Sequence, residues 1–181
     1  MAAAAFLAAL TLALAAPAAA QAQSPQALLE ADRLLRQGSH TEALALVEAR
    51  IAVDPRDAQA RFLKGVILAE QDRPDEAIDT FVRLIQEHPE RAEPYNNLAV
   101  LYAARGGLDR ARELLETAVR VNPKFATAQE NLGDVYARLA AEAYARAAEL
   151  DARAVVRTKL RLARELAAGA AARPAARATS D

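Results

Sequence analysis

The chain repeats itself every 34 residues, and that spacing limits what it can fold into more than any other feature. Pro55, Pro89 and Pro123 recur at this interval. So do Ala31, Gly65, Ala99 and Gly133, then Leu34, Leu68, Tyr102 and Tyr136, then Ala43, Ala77 and Ala111. A fixed period of this size marks stacked supersecondary units, each too small to bury its apolar face alone. Every column has a packing reason. An Ala or Gly on the first helix of a hairpin lets the second helix cross closely. The Leu/Tyr column lies one turn later on the same helix and fills space beside the crossing. Ala43, Ala77 and Ala111 are the matching small sites on the second helix, and Val47, Phe81 and Leu115 follow them by one turn and pack inward. Proline cannot continue a helix and restricts the residue before it, so the prolines end each second helix. Between the two helices stand turn residues: Gln37-Gly38-Ser39, Gln71-Asp72-Arg73-Pro74 and Arg105-Gly106-Gly107.

This pattern resembles the tetratricopeptide repeat family. The third unit carries the resemblance best, in Tyr95, Leu98, Ala99, Tyr102, Ala111, Leu115, Ala118 and Pro123. The second carries it in Gly65, Leu68, Ala77, Phe81 and Pro89, and the first in Ala31, Leu34, Ala43 and Pro55. The resemblance implies an all-α solenoid of about three to four helical hairpins over residues 25–151. Its repeats fall at about 24–57, 58–91 and 92–125, with a contracted unit at 126–152. Composition agrees. Apolar residues make up 53% of the chain but aromatics only 4%, so close helix contacts between small residues suit it better than one thick core.

The fourth unit opens normally with Asn131, Leu132, Gly133 and Tyr136. Its turn should fall on Leu139-Ala140-Ala141-Glu142, which holds no breaker. Ala140, Tyr144 and Ala147 instead repeat Ala111, Leu115 and Ala118 at an offset of 29, so the missing residues are the turn itself. The two helices are expected to fuse over about 124–150, leaving a distal apolar stripe that needs the following segment or a second copy as cover. Residues 152–168 read as an amphipathic capping helix, with Val156, Leu160, Ala163 and Ala167 on one face. Residues 169–181 are Ala/Arg/Pro-rich and are expected to be disordered.

Residues 1–22 read as a secretory signal. Its apolar stretch runs from Phe6 to Leu14, Pro17 ends it, and small residues permit cleavage after Ala20 or Ala22. The stretch is short and alanine-rich for a membrane span. A periplasmic or secreted protein with no span after cleavage is therefore expected. Net charge is −1, unevenly placed: Arg153, Arg157, Lys159, Arg161, Arg164, Arg173 and Arg177 make the C-terminal piece basic and leave the body acidic.

No residues suited to catalysis stand together. Absent cysteine excludes a disulfide scaffold, a thiolate zinc site and a catalytic thiol. His40 and His88 are isolated, and no phosphate loop, nucleophile elbow or paired-histidine metal motif occurs. The reading is a non-enzymatic protein with no cofactor or metal and no nucleic-acid partner. The family resemblance implies a concave surface, lined by first helices, that receives a peptide of another protein in the cell envelope. Carried over by position, that groove comprises Phe62, Leu63, Val66, Asn96, Asn97, Val100, Glu130, Asn131 and Asp134. Asn97 and Asn131, one period apart, would stand as successive rungs able to donate to and accept from a peptide backbone. This is similar to the asparagine ladder of the O-linked N-acetylglucosamine transferase family, although Leu29 and Leu63 occupy the equivalent places in the first two units. Phe62, Leu63 and Val66 would form an apolar anchor pocket. The basic clamp for acidic C-termini found in heat-shock co-chaperones has no counterpart, since Asp32, Glu130 and Asp134 hold the corresponding places. The alternative reading is a structural homodimer joined through the fused helix and the C-terminal helix.

Overall fold

The computed structural model describes residues 26–151 and 153–171. The expected leader and residues 172–181 of the expected disordered tail lie outside them. Among the described residues there are eight helices and no strand: α1 (Ala27–Arg36), α2 (His40–Val53), α3 (Ala58–Glu70), α4 (Pro74–Glu87), α5 (Ala92–Ala104), α6 (Leu108–Val121), α7 (Ala126–Leu150) and α8 (Ala154–Ala171). The fold is an all-α repeat solenoid.

The turns inside the hairpins repeat one construction. Gly38 and Gly106 adopt φ of 81°, and Asp72, at the same place in the second repeat, adopts 56°. Left-handed backbone is open to glycine and tolerable for aspartate. The residue after each then closes the helix end with a bond that spans five residues. Ser39 N donates to the Leu34 carbonyl at 2.9 Å, Arg73 N to Leu68 at 3.0 Å and Gly107 N to Tyr102 at 2.9 Å. These bonds satisfy carbonyls that the helix end would leave open. Between repeats the stop is different. Asp54, His88 and Asn122 each leave the α region, with φ of −132°, −134° and −131°, as a residue before proline must.

One period after Gly106 stands Ala140, which resists the left-handed turn, so α7 runs unbroken for 25 residues. The fused helix expected from the missing turn is therefore present. The last helix, α8, packs along α7. Val156 and Ala163 are buried as the amphipathic pattern requires. The C-terminal helix begins at Ala154 and ends at Ala171, so Gly169 to Ala171 are helical rather than part of a disordered tail.

The described residues divide into two compact units between Ile67 and Leu68. In the first, α1 packs on α2, and Ala31, Leu35, Ala43 and Val47 are buried. Asp57 caps α3: its Oδ1 accepts from Ala60 N at 2.9 Å and its Oδ2 from Arg50 Nε at 2.8 Å. Burial alone would raise the Asp57 pKa, but the Ala60 N–H and the Arg50 guanidinium together hold it below its ordinary value. In the second compact unit, α4 packs on α5, α5 on α6 and α7, and α6 on α7. Ala77, Phe81, Leu84, Leu98, Ala99, Ala111, Leu115 and Ala118 fill this core.

Two expectations about the repeat columns change. Gly133 is exposed, and a Cβ added there would meet nothing within 4 Å. The fused α7 has carried away the helix that would have crossed it. Tyr102, expected to fill space beside the crossing, is only half-buried, and Phe81 is the largest fully buried side chain.

Candidate functional site

The face that first helices present is best defined in the second compact unit, where α5 and α7 adjoin. On α5, Glu93, Asn96, Asn97 and Val100 recur at i, i+3, i+4 and i+7 and therefore share one side. On α7, Thr127, Glu130, Asn131 and Asp134 do the same one period later.

The asparagines are not arranged as successive rungs. Asn97 Nδ2 donates back to the Glu93 carbonyl of its own helix at 3.0 Å. The residue that reaches across is Asn96: its Oδ1 accepts from Asn131 Nδ2 at 2.8 Å. Asn96 is fully buried, the one buried polar side chain among the described residues, and its Nδ2 makes no hydrogen bond. An amide donor left this way costs about 1–3 kcal/mol. Two turns further along, Arg138 Nη1 donates to the Ala103 carbonyl at 2.9 Å, near the C-terminus of α5, where a cation also complements the helix dipole. The two bonds fix α5 and α7 in one register. Asn131 is half-buried, and one N–H of its amide is held inward by Asn96. An amide carries two N–H donors and a carbonyl acceptor, so this bond leaves a donor and an acceptor of Asn131 over.

The surroundings are acidic. Glu93 lies 3.8 Å from Arg91, Glu130 is exposed, and Asp134 is half-buried. Burial pushes the Asp134 carboxyl above its ordinary value. Val100 is half-buried beside Asn96 and Asn97 on the same helix. Phe62, Leu63 and Val66 belong to the first compact unit. All three are buried, the most exposed of them at 8%, so the apolar anchor pocket expected there is closed. Their side chains are spent on packing. Among the described residues no three His, Asp or Glu side chains gather into a metal-binding group. Nor is any helix long and apolar enough to cross a membrane.

Adjacent asparagines at 96 and 97 hid which one crosses between helices. Sequence spacing favoured Asn97, at the full 34-residue interval from Asn131, whereas the slant of packed helices selects Asn96. Nothing in the sequence marked Arg138.

Comparison with known proteins settles the family. Residues 28–92 and residues 68–132 match tetratricopeptide repeat models, and together these matches span more than half of the chain. The chain belongs to the tetratricopeptide repeat family. It is similar to the human PEX5-related protein, at 30% identity over 101 residues. That match takes in 56% of this chain but only 16% of the relative, so it spans a small part of that protein's length. Two solved structures share the fold. A thermophilic repeat protein of Thermus thermophilus superposes with a TM-score of 0.61 at 24% identity, covering 80% of this chain and 81% of that one. The first repeat domain of Spaghetti (RPAP3), bound to the HSP90 peptide SRMEEVD, gives 0.60 at 15%, covering 67% and 95%.

Proposed function

We propose that this chain is a non-enzymatic adaptor or scaffold of the bacterial periplasm, whose first-helix face holds an extended or helical segment of another envelope protein. The observation that carries the reading is the Asn96–Asn131 pair. A buried asparagine whose amide nitrogen is left without a hydrogen bond is costly, and its effect is to hold a second amide in one orientation at the edge of the groove. An oriented amide is suited to a peptide backbone, whose carbonyl and N–H need one donor and one acceptor. The repeat family supports the module, and the bound peptide of the RPAP3 domain supports this mode of use. The ligand here differs in charge. Glu93, Glu130 and Asp134 repel an acidic segment and favour a neutral or basic one. Periplasmic placement rests on the leader-like residues 1–22.

The test is affinity capture from envelope extract with wild type and an Asn96→Leu/Asn131→Ala variant. Loss of one or a few partners, with helicity retained, is the expected result. An unchanged partner set removes the asparagine pair from the binding site. Direct N-terminal sequencing of the exported chain checks the location, and a chain still beginning at Met1 contradicts it.

A further inference from the structure

We propose that the open side of the α7–α8 hairpin is a self-association surface, on which a second copy of the chain docks the same side about a two-fold axis. In the third repeat α6 packs on α5, and Ala99 is fully buried. The equivalent position on α7, Gly133, faces open space, and Tyr136 is 47% exposed. The slot that a second helix would fill is therefore present, and the chain's own second helix has been carried past it in the fused α7. The Tyr136 hydroxyl donates to Glu116 on α6 at 2.9 Å, and Glu116 also accepts from Arg112 at 2.9 Å. The ring is thus held in place at the slot before anything binds.

On α8, Val155, Leu162 and Leu166 form a second apolar stripe at i, i+7 and i+11, beside the Val156–Ala163 stripe that faces α7. They are 54%, 48% and 68% exposed. Lys159 lies on this stripe, and its Nζ sits 5.7 Å from the centroid of the Tyr144 ring. Tyr144 follows Ala140 by one turn, next to the row Tyr136, Ala140, Ala147 and Leu150 on α7. That contact brings the two stripes onto one side of the hairpin. Tyr136, Leu150, Val155, Leu162 and Leu166 are all the large exposed apolar side chains among the second compact unit's described residues. With α8 about 27 Å long and two helices abreast about 20 Å wide, the side offers about 540 Å² per copy, the footprint of a weak, reversible interface.

Residues 172–181 carry no large apolar side chain to fill the slot: they contain only Ala, Arg, Pro, Thr, Ser and Asp. A second copy suits it in shape. A two-fold that crosses α7 with the second copy's α8 sets the small Gly133, Ala140 and Ala147 against the larger Leu162 and Leu166.

Sedimentation equilibrium of the mature chain, from about 1 µM to about 100 µM, reads this directly. Wild type is expected to shift from monomer to dimer mass. Leu162→Asp/Leu166→Asp is expected to raise the dimer Kd at least about 100-fold while keeping the monomer's helicity, because both side chains are exposed in the monomer. Should that variant lose helicity, Leu150→Glu/Val155→Glu at the other end of the same side takes its place, with the same expectation. A wild type that stays monomeric throughout overturns the proposal. So does a dimer that survives both variants. A chain ending at residue 171 that dimerises when the full chain does not would give the slot to the tail, and overturns it equally.

Discussion

Replacing Gly133 with alanine discriminates an open slot from a closed hairpin, because the two predict opposite signs. In a closed hairpin this column sits under the crossing helix, as Ala99 does, and an added methyl would collide. Here Gly133 lies inside α7, and a Cβ placed on it meets nothing within 4 Å. The only remaining effect is on the backbone. Glycine in a helix interior is about 0.8–1.0 kcal/mol less favourable than alanine, since it gives up more conformational freedom on folding. Gly133→Ala is therefore expected to stabilise the chain by about 0.5–1 kcal/mol. With an m-value of about 2 kcal/mol/M, the urea midpoint moves up by about 0.3–0.5 M at unchanged m. The measurement belongs in the Leu162→Asp/Leu166→Asp background, where self-association does not enter. Ala99→Leu provides the contrast in the same column: its site is fully buried, and overpacking there should cost about 1–3 kcal/mol. If Gly133→Ala destabilised the chain by more than about 0.5 kcal/mol, a helix would have to lie on α7 at that point, and the account of the slot would fail.

Further outcomes follow from the same packing and polar contacts. Phe81→Ala should cost about 3–5 kcal/mol in denaturant unfolding because the ring is fully buried, and Tyr102→Ala, half-buried, should cost clearly less. Asn96→Leu should stabilise the second compact unit by about 1 kcal/mol, by removing the unpaired buried donor, while weakening capture of the peptide partner; loss of stability would show that the donor is satisfied. Asp57→Ala should cost about 1–2 kcal/mol through the lost cap on α3. Because the folded state lowers the Asp57 pKa, the stability it contributes is complete above its ordinary 3.8 and is lost as pH falls through the lower folded value. Acid unfolding of Asp57→Asn should lack that loss, and superposable acid-unfolding curves would refute the cap's charge. Asp134 titrates in the opposite sense. Burial raises its pKa above 3.8, so a lysine or arginine of the ligand that pairs with it binds fully only above that raised value, and affinity declines as pH drops through it. Titration calorimetry with Asp134→Asn should show a flatter pH profile.

The sequence determined this fold through local chemistry. Small residues one period apart set the crossings, and residues tolerant of left-handed backbone at 38, 72 and 106 set the turns, with prolines at 55, 89 and 123 setting the stops. Even the fused helix was legible, because an alanine at 140 cannot supply the turn that Gly106 supplies. What the sequence could not decide is which of two neighbouring side chains on a helix faces the next helix. Asn96 and Asn97 are equally polar and adjacent, and only the slant at which α7 lies on α5 turns one inward and leaves the other to bond its own backbone. The fates of Phe62 and Gly133 have the same origin. A repeat column fixes a residue's place in its own hairpin, but burial depends on whether a neighbouring element arrives there, and that is set by packing at a distance along the chain.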